Sequence, residues 1–385
     1  MLFIVKPTAA CNGACIYCSA YKDDPSKLRK MSMEELRFLY GRLTEYVEAT
    51  GLKKMSILWH GGEPLLMGPK FFAEAADLSD ELKKRTGVAV GHLIQSNITL
   101  VSDALVSVLR RLLGDRRLGT SYDPIAGIRL LKGNRSYEAM WHAGLDKLQA
   151  GGLNVGVVYV VHALSLNKAR DIYQQFKAMD LRGGLRFNPL YSEGLAKRSE
   201  HLHISPQQWG EFLLDLREAW DEDGRTIPVA PLDGWEALAE GRKARLSCAF
   251  SGTCTRGFTG IEADGTVYSC GRSLDGELKP FGNIHDAPLA DILGGDARRA
   301  FLNRQEWLLM GECAGCRWWN FCHGGCPNDA YLAFGDMMRK TYWCEGRKLF
   351  LDRVYGERAG IAIAPEQTHE EAGYEFDLPD PEVTR

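Results

Sequence analysis

Short apolar runs alternate with amphipathic stretches through the first half of the chain. Residues 2–5, 55–59, 88–95, 118–122, 155–161 and 185–187 are rich in β-branched and aromatic side chains and read as strands. Residues 32–48, 69–84, 102–113, 136–150 and 166–179 repeat apolar positions at helical spacing, so each predicts a helix with one buried face. Strands alternating with helices predict a parallel sheet, open or closed, because parallel neighbours need crossover connections.

The pattern changes after residue 200. Residues 205–223 predict an amphipathic helix with Ser205 as N-cap and Pro206 in the first turn, and a shorter helix follows over 233–242. From 246 to 350 glycine, cysteine and aromatics dominate, and Ala263-Asp264-Gly265-Thr266 lies between β-prone segments, a hairpin signal. The end, above all after Tyr355, is rich in Glu, Asp and Pro without periodicity, as in a solvated tail. The expected organisation is therefore 1–200, a helical bridge 201–245, a cysteine-rich part 246–350 and an acidic tail 351–385.

Composition narrows the partners. With 385 residues and 45% hydrophobic content the chain can bury a large core. A net charge of −3 gives no broad basic face, so nucleic acid is not an expected partner. No apolar run is long enough to cross a bilayer, and Met1-Leu2-Phe3-Ile4-Val5-Lys6-Pro7 has no basic leader or cleavage site. Eleven cysteines without such a segment point to a reducing cytoplasm, where thiols bind metal.

Cys11-Asn12-Gly13-Ala14-Cys15-Ile16-Tyr17-Cys18 follows the first predicted strand. Three thiolates on one loop can hold three irons of a 4Fe–4S cube and leave the fourth iron open to a small molecule. A structural cluster or zinc site normally takes a fourth protein ligand, so an open iron points to chemistry. The bland alternative is a zinc site completed by a distant His or Cys. The other eight cysteines, Cys248, Cys254, Cys270, Cys313, Cys316, Cys322, Cys326 and Cys344, all lie in the last third. One three-ligand set and two four-ligand sets would use every cysteine.

With these cysteines, and with Gly61-Gly62-Glu63-Pro64 after the second strand, the chain resembles the radical S-adenosylmethionine superfamily carrying a SPASM extension. Within it, Ser247-Cys248-Ala249-Phe250-Ser251-Gly252-Thr253-Cys254-Thr255 and Gly282-Asn283-Ile284 are similar to anaerobic sulfatase-maturating enzymes, and peptide maturases share the two-cluster extension. The resemblance implies an α/β fold: a partial (β/α)6 barrel with a C-terminal cysteine-rich SPASM domain, the cofactor lying at the strands' C-terminal edge. It implies a catalytic cluster on Cys11, Cys15 and Cys18 with Tyr17 beside it. S-adenosylmethionine would meet Gly61, Gly62, Glu63 and Pro64 through its amino group, with Asn97 and Ser121 at the third and fourth strand ends and Leu190 near the adenine. Its carboxylate would meet Arg129 or Arg135, with Arg135 preferred because it follows an Asn. Interleaved pairing would put Cys248, Cys254, Cys270 and Cys326 on one auxiliary cluster and Cys313, Cys316, Cys322 and Cys344 on another, three 4Fe–4S clusters in all.

The activity implied is reductive cleavage of S-adenosylmethionine to a 5′-deoxyadenosyl radical, fed by a flavodoxin- or ferredoxin-type donor. That radical takes hydrogen from an unactivated carbon of a peptide or protein substrate. Three residues depart from the sulfatase-maturating pattern: Gly271, followed by Arg272, stands where those enzymes have an Asp base, His60 replaces a Gln, and Ala20 replaces a Tyr. Loss of the base favours a peptide maturase forming a thioether or carbon–carbon crosslink over the alternatives, a formylglycine-generating maturase or a small-molecule dehydrogenase. Only ten residues precede Cys11, so peptide recognition would fall to the barrel or the SPASM surface. A non-catalytic iron–sulfur carrier is a different class, and it needs neither an open iron nor a methionine pocket.

Overall fold

The computed structural model describes residues 1–21, 24, 28–133, 135–244, 246–272 and 278–357. Among them the strands are β1 (Leu2–Val5), β2 (Met55–Trp59), β3 (Val90–Ser96), β4 (Leu118–Ser121), β5 (Val155–Val161), β6 (Leu185–Pro189), β7 (Val229–Ala230), β8 (Phe258–Ile261), β9 (Thr266–Tyr268) and β10 (Gly282–Asn283). The first seven helices are α1 (Met33–Thr50), α2 (Gly68–Thr86), α3 (Asp103–Leu113), α4 (Tyr137–Ala150), α5 (Ala169–Lys177), α6 (Pro206–Glu222) and α7 (Leu232–Ala239). Shorter helices follow, ending with a longer one over Cys344–Tyr355. All six strands and five helices expected in the first half form, with ends moved by a few residues. That last helix runs five residues into the segment assigned to the tail, and the tail from residue 358 lies outside the described residues.

The chain forms two compact units, the first comprising 1–122, 127–155 and 256–302, the second 123–126, 156–255 and 303 onward. In the first unit the strand order is β10-β9-β8-β1-β2-β3-β4, with β8 through β4 parallel. The hairpin signal at 263–266 is realised as the antiparallel β8–β9 turn, with Gly265 at φ 82°. Sequence reading did not foresee that β8 would pair in parallel with β1. One sheet face packs on helices: Phe3 meets Tyr46 of α1 edge-on, and Trp59 meets Phe71 and Phe72 of α2. Buried His92 is a satisfied core histidine, with Nδ1 accepting from the Trp59 indole at 3.1 Å and Nε2 2.8 Å from the Ser79 hydroxyl. Helices start where serine can accept from a freed backbone N–H: Ser32 and Ser205 make full capping boxes, and Ser102 and Ser136 cap α3 and α4.

In the second unit β5, β6 and β7 are parallel. Its cysteine-rich part has an aromatic core, where Trp235 packs on Phe250 and Phe350 and donates to the Phe321 carbonyl at 3.0 Å. Arg217 of α6 binds Glu236 of α7 at 2.7 Å and the Tyr355 hydroxyl at 3.0 Å, tying three helices together. Helix α6 also crosses the Cys344–Tyr355 helix with backbones almost touching: a β-carbon on Gly346 would lie 1.8 Å from the Pro206 carbonyl oxygen. Gly346→Ala must push these helices apart, an overpacking change worth about 1–3 kcal/mol. Because that helix begins at Cys344, the variant is expected to melt earlier and to lose iron, both measurable on one preparation by thermal denaturation and iron assay.

Candidate active site

The three-cysteine loop is fixed by backbone, before any metal is considered. Ala14 N donates to the Leu130 carbonyl at 2.8 Å, Ile16 N to Ile128 at 3.1 Å, and Lys132 N to Asn12 at 2.9 Å. Gly13 leaves room for thiols to gather: a β-carbon there would stand 3.3 Å from Cys11 Sγ and 3.7 Å from Cys15 Sγ. The Cys11 thiol is pushed up to about 12, chiefly by burial, with Glu63 and the other two thiols adding like charge and the Gly13 N–H pulling the other way. Binding iron there requires the thiolate, whose burial cost a cationic cluster would offset.

The Gly61-Gly62-Glu63 turn lies directly against the approach to that loop. Gly62 N donates to the Thr8 carbonyl at 3.0 Å and Glu63 N to the Ala10 carbonyl at 2.9 Å. Side chains are excluded, since a β-carbon on Gly61 would be 2.3 Å from the Thr8 oxygen and one on Gly62 2.3 Å from the Ala10 oxygen, and Gly61 has φ 118°. Glu63 is 1% exposed and accepts from Leu65 N at 2.8 Å, Ser96 Oγ at 2.8 Å and Asn97 N at 2.7 Å. Burial nevertheless raises its carboxyl to about 7, outweighing these three donors. Pro64 opens the short turn that follows. Asn97 continues the chain of contacts by donating to Asn12 at 2.8 Å and reaching Cys11 Sγ at 3.9 Å.

Ser121 ends β4, where its hydroxyl accepts from Gln95 at 3.1 Å. Arg129 lies over the buried Tyr17 ring at 5.3 Å and over Tyr137 at 5.9 Å. Tyr137, missed in the sequence, donates to the Ser121 carbonyl at 2.9 Å. Its hydroxyl is held well above its ordinary value by burial, with Arg129 opposing and Cys15 and Glu63 adding, which places all four groups in one neighbourhood. Arg135, by contrast, is solvent-exposed just before α4. Leu190 is buried after β6 in the second unit. Asp123, in the same unit, is paired with buried His162 at 2.9 Å.

None of the eleven cysteines is in a disulfide. Cys313, Cys316, Cys322 and Cys344 line one cavity in the second unit, with Trp318, Trp319 and Arg347 beside them. Burial, followed by the charges of Cys322, Cys344 and Cys316, pushes the Cys313 thiol up to about 11, so the four feel one another as a cluster-binding set would. Arg347 donates to Cys322 Sγ at 3.3 Å. Arg304, 1% exposed, donates to the Gly324, Gly325, Met337 and Arg339 carbonyls, bracing the turn between Cys322 and Cys326. Neither arginine carried a sequence signal, because their role depends on where the loops fold. Cys248, Cys254 and Cys326 belong to the second unit and Cys270 to the first.

Residues 253–317 match the SPASM iron–sulfur cluster-binding domain. The chain is 29% identical to the serine-type anaerobic sulfatase-maturating enzyme of Klebsiella aerogenes over 84% of its length and 79% of that protein. It is 25% identical to the cysteine-type enzyme of Clostridium perfringens strain 13, covering 93% of this chain and 97% of that one. The solved structure of native anSMEcpe with bound AdoMet superposes with a TM-score of 0.77 at 23% identity, over 95% of this chain and 99% of that one. In sequence and fold this chain is similar to radical S-adenosylmethionine enzymes with a SPASM domain. The structural likeness shows the fold, a partial (β/α)6 barrel with a cysteine-rich C-terminal domain, as the resemblance implied.

A radical S-adenosylmethionine enzyme needs a thiol loop with an open side and a polar turn for the methionine, and the residues present fit both. Cys11, Cys15 and Cys18 would hold the cluster, and the Gly61-Gly62-Glu63 turn beside them offers backbone groups and one carboxylate. Held there, cluster and cofactor supply a carbon radical strong enough to take hydrogen from an unactivated carbon. At the Asp position of the sulfatase-maturating pattern Gly271 abuts Ile4: a β-carbon there would fall 2.5 Å from Ile4 Cγ2, so a side chain at this position needs Ile4 to shift. Among the described residues, no helix is long and apolar enough to cross a membrane.

Proposed function

We propose that this enzyme oxidises the side chain of a serine or cysteine in a peptide segment of a protein substrate to an aldehyde, as a formylglycine-generating sulfatase maturase. The observation that carries this is similarity along most of both chains to relatives named as serine-type and cysteine-type anaerobic sulfatase-maturating enzymes. It corrects the crosslinking maturase expected from the SPASM extension: that extension is common to both groups, whereas the similarity favours the maturase alternative. In this reading three 4Fe–4S clusters sit on the cysteine sets given above, and a flavodoxin- or ferredoxin-type protein delivers the electron. Glu63 takes the cofactor's ammonium, Pro64, Asn97 and Ser121 shape its pocket, and Leu190 serves the adenine.

The carboxylate contact moves from Arg135 to Arg129, which is the arginine held beside Tyr17, Tyr137 and the cysteine loop. Arg129→Gln is expected to weaken S-adenosylmethionine binding at least tenfold, since a charged hydrogen bond is worth about 1.5–3 kcal/mol. Arg135→Gln should change it less than about twofold, because the exposed side chain loses little; equilibrium dialysis compares the two.

The activity is tested anaerobically with reconstituted enzyme, S-adenosylmethionine, dithionite and synthetic peptides carrying Cys-x-Pro-x-Arg or its serine counterpart. An aldehyde captured by a hydrazide reagent, absent with an alanine peptide, is the expected product. A stable two-hydrogen loss that keeps the side-chain sulfur, with no aldehyde, would return the enzyme to the crosslinking group.

A further inference from the structure

Three charged or polar side chains stand in one row where β8, β1 and β2 end. The register pairs Ile4 with Gly260 and with Leu58, and beyond it Lys6 N donates to the Ile261 carbonyl and His60 N to the Val5 carbonyl, both at 2.9 Å. Lys6, Glu262 and His60 therefore share a pleat and a sheet face. That face is turned away from the helices, since Phe3 and Trp59 of the opposite face are the residues that meet α1 and α2. It is also the face of Cys270 and Gly271. A β-carbon on Gly260 would lie 2.2 Å from the Cys270 carbonyl oxygen, and Ile4 abuts Gly271. Two residues further along each strand, Lys6 Nζ binds Glu262 Oε1 at 2.7 Å, with Lys6 7% exposed. His60 leads straight into the Gly61-Gly62-Glu63 turn.

We propose that Glu262, held by Lys6 and flanked by His60, is the catalytic residue that takes the proton of the substrate's hydroxyl or thiol. The inference rests on the oxidase reading above. It gives this chain a proton acceptor one pleat nearer the strand edge than Gly271, which carries no side chain. The balance is complete: the substrate –CH2–XH gives one hydrogen atom to the 5′-deoxyadenosyl radical, one proton to the Glu262 carboxylate and one electron to an iron–sulfur cluster, leaving –CH=X. Where X is sulfur, water then replaces it to give the aldehyde and hydrogen sulfide. His60 cannot fill the role in its place. Its Nδ1 accepts the Gly61 N–H at 2.7 Å, so the neutral ring carries its proton on Nε2 and offers a donor. Burial, then the Lys6 charge, lowers this ring to about 4 and keeps it neutral at working pH. Lys6 fixes the carboxylate in place and can steady it through proton uptake.

Two measurements on the reconstituted holoprotein test this. In oxidised protein with S-adenosylmethionine and no reductant, fluorescein-labelled cysteine and serine peptides should bind at least fivefold tighter than the alanine peptide. The double variant Lys6→Met/Glu262→Leu, which removes the pair without leaving a buried lone charge, should bind all three alike. Under dithionite, Glu262→Gln should keep its iron content and its 5′-deoxyadenosine release while aldehyde per 5′-deoxyadenosine falls at least thirtyfold, and Glu262→Asp should recover part of it. A wild-type enzyme that makes aldehyde while Glu262→Gln makes as much, or a double variant that still prefers cysteine and serine, would overturn the proposal. Wild-type protein that makes no aldehyde from any peptide overturns the oxidase reading instead, and the peptide preference still decides Glu262.

Discussion

Replacing Cys11, Cys15 and Cys18 together by Ala is expected to give a folded protein that holds roughly eight irons and makes no 5′-deoxyadenosine. The loop that carries these residues is pinned by backbone bonds to Ile128, Leu130 and Lys132, none of which needs a sulfur. The strands beneath it are built from fully buried residues such as Phe3, Val5 and Trp59, whose packing is independent of the thiols. The first unit should therefore survive, with its radical chemistry removed completely. The opposite outcome is expected for Cys316→Ala or Cys344→Ala. There the thiols line one cavity, so metal-binding energy is folding energy, and losing one ligand should loosen the second unit. Iron analysis and Mössbauer spectra, with 5′-deoxyadenosine measured chromatographically, separate the two classes. A triple variant that still cleaves S-adenosylmethionine would overturn the assignment of the open iron to this loop.

Much of this architecture was legible because local and global signals agree. Strands at 2–5, 55–59 and 155–161 are nearly continuous apolar runs, as suits a doubly covered or closed sheet, and serine caps mark where α1, α3, α4 and α6 begin. The cysteine loop and Gly61-Gly62 were legible because their chemistry is tied to spacing along the chain, and the close approach to Thr8 and Ala10 shows why nothing larger fits. What stayed hidden depends on distance in space. The pairing of β8 with β1 joins residues more than 250 positions apart, and it alone brings Glu262 beside Lys6. The sequence favours Arg135 over Arg129, and only the pairing of 128–132 with the cysteine loop puts Arg129 rather than Arg135 beside it. Tyr137, Arg304 and Arg347 look like ordinary helix residues until their surroundings fold round them.

Glu63→Gln is expected to weaken S-adenosylmethionine binding about ten- to a hundredfold at pH 8 and to abolish a pH dependence that the wild type shows. The carboxyl is raised to about 7 by burial, so near and below that pH the free protein holds it partly or wholly protonated. An ammonium group placed against it favours the ionised form and draws its pKa down. Binding therefore expels a proton, and affinity should fall by about tenfold per unit as pH drops below 7, while levelling off above it. The sign for folding is the reverse. Because the folded-state value lies above the unfolded one, the ligand-free protein loses this group's contribution as pH rises from about 4.5 to about 7, and the cofactor's ammonium offsets that loss. Glutamine keeps the shape but cannot ionise, so the variant should bind with nearly constant, low affinity across this range. The loss of about 1.5–3 kcal/mol is that of one charged hydrogen bond. Equilibrium dialysis from pH 5.5 to 8.5, with proton release followed in two buffers by calorimetry, reads both effects. Equal pH slopes in wild type and Glu63→Gln would show that the ammonium is received elsewhere, and would take from the Gly61-Gly62-Glu63 turn its place in the cofactor site.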